Sequence, residues 1–211
     1  MRSKLLIFIG GITCVLSAET VFAGDLHFDA GVSSDYVWRG LTQTKGKAAV
    51  SGGVEYVTDG AWYFGAWASN TQHAAYDYGS AEVDTYAGLS GKGESLGYDV
   101  GYINYMYPAY TGADFSEMYF SLMTDRVMFK YSDSSSIGTY LELNMTHKLA
   151  IKQGASVTIH YGNYSLKNSA SYYDLSVSLK LKEFSLSFSK ASVNTEQDKD
   201  LKAIVAWGRS F

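Results

Sequence analysis

Four histidines, His27, His73, His147 and His160, are the side chains best suited to acid–base or metal chemistry. A hydrolase built on β-strands would carry a serine two residues from a histidine, so that both project from one face. The residues two after each histidine are Asp29, Ala75, Leu149 and Gly162, and none is serine. A rim protease would need paired acids beside an Asp/His pair. His73 and Asp77 do share a polar stretch, for which solvated polarity is the plainer reading. The histidines stand on separate segments without ligand spacing, so no metal and no other cofactor is expected. His27, His147 and His160 are read as inward-facing wall residues. The run "GKGES" at 91–95 has the residue types of a phosphate loop but lacks a following helix. An enzyme is not expected.

What remains is a set of charges: Asp35, Arg39, Glu82, Asp84, Glu117, Lys130, Glu142 and Asp174. Their chemistry would be electrostatic, steering or pairing ions, and it depends on which face each occupies. Period-two alternation supplies those faces. "LHFDAGV" sets Leu26, Phe28, Ala30 and Val32 against His27, Asp29 and Gly31, and "YYDLSVSLKL" sets Tyr173, Leu175, Val177, Leu179 and Leu181 against Asp174, Ser176, Ser178 and Lys180. Such runs are strands with one apolar and one polar face. Twelve are expected, near 26–39, 47–57, 61–68, 80–90, 95–107, 115–123, 126–132, 138–149, 154–163, 170–181, 183–192 and 200–211. Short turns such as Thr58-Asp59-Gly60 and Lys182-Glu183 alternate with longer polar links near 69–79, 108–114, 133–137, 164–169 and 193–199.

That rhythm and an even strand number predict an all-β, antiparallel transmembrane barrel with short periplasmic turns and longer external loops. Each run approaches the length a tilted membrane strand needs, and closure pairs every edge, as lipid requires. No apolar run is long enough for a spanning helix. The composition agrees, with 18 Tyr, 21 Gly and a single Pro.

The opening "MRSKLLIFIGGITCVLSAETVFAGD" has a basic start, an apolar stretch and a small-residue cleavage pattern, so residues 1–23 read as a signal peptide and 24–211 as the barrel. Removal of 1–23 takes away Cys14, leaving no thiol for a disulfide or metal. It also removes Arg2, Lys4 and Glu19, leaving 15 basic and 20 acidic residues. That balance disfavours nucleic acid. The last run ends on an outward aromatic, Phe211, resembling the C-terminal signal read by barrel-assembly machinery, although Arg209 departs from the pattern.

An outward charge at mid-bilayer costs roughly 2–4 kcal/mol, so the charges above are expected inside. Extending the first strand's parity puts Asp35 and Arg39 inward and Tyr36 and Trp38 outward, in an interfacial aromatic girdle. Asp35, Glu82, Asp84, Glu117, Glu142 and Asp174 then share the external half with one base, Arg39. Its expected role is that of an ion-pair partner pinning the rim. The other half holds Arg126, Lys130, Lys148 and Lys180 with Asp29, Glu55 and Asp99.

The segments "SDYVWRGLTQT" (34–44) and "VGYINYMYP" (100–108) resemble the TorF-type porins of proteobacteria, as does the overall length. The resemblance implies an outer-membrane barrel with a porin role and brings no catalytic residues with it. The expected function is a narrow pore for small solutes or ions, weakly cation-preferring at its outer mouth. Its surroundings would be outer-membrane lipid. The alternative is a closed barrel whose external loops bind a partner.

Overall fold

The computed structural model describes residues 24–72, 80–110, 112–151 and 154–211, plus a backbone pairing of Phe8–Ile9 with Ile12–Thr13. Cys14, His73, Ala75 and Asp77 lie outside the described residues. Twelve antiparallel strands close into one barrel: β1 Gly24–Ser33, β2 Ala49–Thr58, β3 Trp62–Thr71, β4 Ser80–Lys92, β5 Gly97–Met106, β6 Phe115–Met123, β7 Val127–Ser134, β8 Gly138–Lys148, β9 Ala155–Leu166, β10 Tyr172–Leu181, β11 Phe184–Ala191 and β12 Lys202–Ser210. Each strand pairs with its sequence neighbour, and β12 pairs with β1 to complete the ring. At that seam Phe211 N donates to Phe28 O at 2.9 Å, so the final residue extends the ladder.

Alternation decides the faces. Phe28, Val50, Phe64, Val100, Met118, Ile159, Leu175, Val177 and Val205 are exposed on the outer surface, while the residues between them turn inward. An apolar outer band over a polar interior is the pattern of a barrel in lipid. His147 corrects one expectation: it shares the parity of Met145, not of Glu142, and is exposed on the outside. The connections 59–61, 93–96, 124–126 and 182–183 are short and lie at one end. The links that follow β1, β3, β5, β9 and β11 leave from the other end. Two connections depart from strict alternation. Residues 149–154 make the longest link at the turn end, and 135–137 are a tight link at the loop end, the latter because β7 continues to Ser134, beyond its expected run.

The inner wall is lined by tyrosines laid flat on glycines of the next strand. Tyr63 faces Gly88, Tyr86 faces Gly65 and Tyr119 faces Gly101 in register. A Cβ at Gly101 would lie 2.6 Å from Tyr119 Cζ. Glycine is needed there for space, since the ring occupies the room a side chain would take. Tyr63 is fully buried and its hydroxyl donates to Asp99 Oδ1 at 2.6 Å while meeting the Tyr119 hydroxyl. Flat rings leave the barrel axis to other groups.

Candidate functional site

One connection does not stay at the rim. β1 ends at Ser33, and residues 34–48 fold back into the barrel and cross its lumen. Val37 pairs with Thr42 and Trp38 with Leu41 in a short ribbon. Its two-residue turn, Arg39-Gly40, has φ of 48° and 79°. Positive φ at both central residues is the mark of a type I′ hairpin turn. Gly40 supplies that conformation, and it also fits where a Cβ would lie 2.6 Å from Asp174 Cβ and 2.9 Å from Ala191 Cβ. The turn is therefore seated on the wall made by β10 and β11.

Asp35 holds the base of the ribbon. Its Oδ1 accepts from Thr42 Oγ1 at 2.5 Å and from Thr44 Oγ1 at 2.8 Å, while Tyr36 N donates to Thr44 Oγ1 at 3.0 Å. Thr42 N donates to Asp198 Oδ1, which also pairs with Lys202, and Lys202 Nζ reaches Gly40 O. Gln72 N donates to Gln43 O, tying the ribbon to the end of β3.

The aromatics expected in an outer girdle lie inside. Tyr36 packs edge-on to Trp67 and donates to Glu82 Oε1 at 3.1 Å. Trp38 touches Tyr105, Phe115 and Tyr164. The first run, 26–39, exceeds what a membrane strand needs, and Asp35 draws the chain inward through Thr42 and Thr44. Beyond Ser33 the parity of β1 no longer applies.

Arg39 is the centre of the arrangement. Its Nη1 and Nη2 donate to the two carboxylate oxygens of Glu117 at 2.8 and 2.7 Å. The side chains are only 7% and 2% exposed. The guanidinium carbon also lies 4.2 Å from the Trp38 ring centre, 4.1 Å from that of Tyr140 and 4.6 Å from that of Tyr164. A planar fork matched to a carboxylate and faced by rings is the geometry in which Arg outperforms Lys. Charge pairing across the lumen joins the ribbon to β6, and the rings join it to β8 and β9.

The other charges sit around this bar. Asp174 accepts from Tyr140 Oη at 2.9 Å and lies 2.9 Å from His160 Nε2, whose Nδ1 is 2.8 Å from Asn144 Oδ1. Asn144 Nδ2 in turn donates to Glu142 Oε1. Lys130 stands opposite Glu142 in register, with its ammonium 4.1 Å from the Tyr119 ring centre. Glu82 and Asp84 are buried on one face of β4, and Glu82 Oε2 and Asp84 Oδ1 have no hydrogen-bond partner among the described residues. Among those residues no three metal-capable side chains converge. The geometry can bind and steer ions and polar solutes.

Of the charges singled out in sequence, Arg39 and Glu117 are joined directly. Asp174 touches the same turn through its Cβ, and Asp35 is committed to the ribbon's own fold. His160 lies inward as its parity predicts, and Tyr36, Trp38, Tyr140 and Tyr164 complete the site without having been expected there. Their partners come from strands far apart in sequence, so spacing along the chain carries no signal for them.

A bacterial family described as "Bacterial protein of unknown function (Gcw_chp)" matches residues 18–209. No curated protein matches the chain in sequence. Among solved structures, a "KdgM porin" superposes with a TM-score of 0.60 at 11% identity, covering 88% of this chain and 98% of the other. The barrel is thus a porin-like fold.

Proposed function

We propose that this chain, which belongs to the Gcw_chp family of bacterial proteins of unknown function, is an outer-membrane porin with a narrow pore for small solutes or ions. The observation that carries this reading is a closed barrel, apolar outside and polar inside, whose lumen is narrowed by its own first loop. The finer resemblance to TorF-type porins belongs to the same proposal, as do the leader at 1–23, the external position of the long loops and recognition of Phe211 by assembly machinery. No enzymatic role is proposed.

The mouth is proposed to prefer cations weakly. Glu82, Asp84 and Asp174 are buried on the lumen side, while Glu142 stands opposite Lys130 and the one arginine there is consumed by Glu117. A confined wall with excess negative charge raises the local concentration of cations. His160 beside Asp174 moderates the effect but leaves Glu82 and Asp84 unopposed.

A closed barrel whose loops bind a partner is the second reading, favoured by how fully Trp38 and Arg39 span the lumen. Liposome swelling separates the two. Vesicles carrying the refolded protein should swell in isosmotic small neutral solutes, faster for smaller ones. Swelling no greater than in protein-free vesicles would contradict the porin reading and support the closed barrel.

A further inference from the structure

Above the lumen-crossing ribbon, at the loop end, is a cavity of about 530 Å³. Its wall is drawn from four places: Thr42 and Gln43 of the ribbon, Thr71 and Gln72 at the end of β3, Tyr107 and Tyr110, and the loop around Thr195 and Gln197. The size falls within the ~300–1,000 Å³ usual for small-molecule sites. The chemistry of the wall is unusual for this barrel. Elsewhere the loop half is lined by carboxylates, whereas here hydroxyls, amides and tyrosines predominate, with Leu41, Glu196 and Asp198 among them.

The two acids at the cavity are already occupied. Asp198 receives Thr42 N and pairs with Lys202, and Glu196 pairs with Lys199. Neither offers an unopposed charge to a ligand. What the wall offers a ligand is therefore the uncharged donors and acceptors of Gln43, Gln72, Thr195 and Gln197.

The geometry points to a binding site for a neutral, hydroxyl-rich solute, an uncharged oligosaccharide, in this vestibule. Amides and hydroxyls both donate and accept, as sugar hydroxyls do. Tyr107 and Tyr110 add flat apolar surface with a polar edge, suited to the C–H face of a sugar ring. A cation is better served by Glu82 and Asp84 deeper in the barrel, and an anion finds no unpaired base at the cavity wall. The inference rests on the porin reading, because it makes the vestibule the first stop of a solute on its way through. The position of the ribbon is part of the site, since Gln43 is held by its backbone bond to Gln72.

Calorimetric titration of the refolded full chain with maltotriose tests it, in a zwitterionic detergent that has no sugar headgroup. Maltotriose should bind to the parent, and Gln72→Leu should weaken it by about 3–10-fold through loss of one hydrogen bond. Gln197→Leu, also on the cavity wall, should weaken binding as well. Neither change touches the strand ladder, so both variants should keep the parent's resistance to urea. Spermidine and acetate should not displace the sugar. Absence of maltotriose binding, unchanged affinity in both variants, or displacement by either ion overturns the inference. Swelling without sugar binding would remove the site and leave the porin reading standing, and sugar binding without swelling would do the reverse.

Discussion

Arg39→Ala is expected to open the pore while leaving the barrel folded. The substitution strands Glu117, which is 2% exposed, without its bidentate partner. Removing one member of a buried pair costs about 3–5 kcal/mol, chiefly for the charge left behind. Here the protein has an escape, because residues 34–48 can leave the lumen and let water reach Glu117. That cost corresponds to a shift of about 10²–10⁴-fold in the ratio of docked to undocked loop. The ring contacts of Arg39 with Trp38, Tyr140 and Tyr164 are lost in the same step. The strand ladder is untouched, so heat-modifiable barrel should persist. Unitary conductance should rise, and cation preference with it, since one positive charge leaves an acidic lumen. Arg39→Lys keeps the charge but not the planar fork, and should fall between parent and Ala variant. Parent-like conductance in both variants would show that the ribbon does not limit the pore.

Gly88→Val is expected to damage the barrel itself. A Cβ at Gly88 would lie 2.8 Å from Tyr63 Cε1 and closer still to the end of that ring. Tyr63 is fully buried, and its hydroxyl is spoken for by Asp99 and Tyr119. The ring has nowhere to go except into the lumen, breaking both hydrogen bonds, or the β3–β4 pairing must spread. Overpacking together with a lost buried hydrogen bond predicts a loss of about 3 kcal/mol. Urea unfolding followed by intrinsic fluorescence should show the midpoint fall. Gly60→Ala is the control, because the nearest atom to its Cβ would be 3.8 Å away in an open turn. Equal midpoints for the two variants would mean that the flat tyrosines are not held by the glycines beneath them.

These two predictions differ in how far the sequence foretold them. The twelve strands were legible because a period of two is written along each strand by its own residues, as in β10 from Tyr172 to Leu181. The inward side of Glu82, Glu117 and Asp174 followed from the same parity. The fold of 34–48 was not legible by that rule, since Tyr36 and Trp38 continue the alternation of Leu26 to Val32. Two features could have warned of it. The run 26–39 is 14 residues long, against about 9–11 for a membrane strand. Arg39-Gly40, followed by Thr42 and Thr44 near Asp35, has the makings of a turn with its own polar clasp. The pairing of Arg39 with Glu117, 78 positions away, and the seating of Tyr63 on Gly88 belong to tertiary structure. Closure of the barrel brings those residues together, and no local pattern encodes it.

The porin reading requires a conducting lumen, narrowed by the ribbon and biased by Glu82 and Asp84. Single-channel recording of the refolded parent protein in a planar bilayer, with a salt gradient across it, decides whether it conducts. Small discrete current steps are expected, with a reversal potential shifted toward that of the cation. A bilayer that stays silent with the inserted barrel, or a reversal potential shifted toward that of the anion, would contradict it.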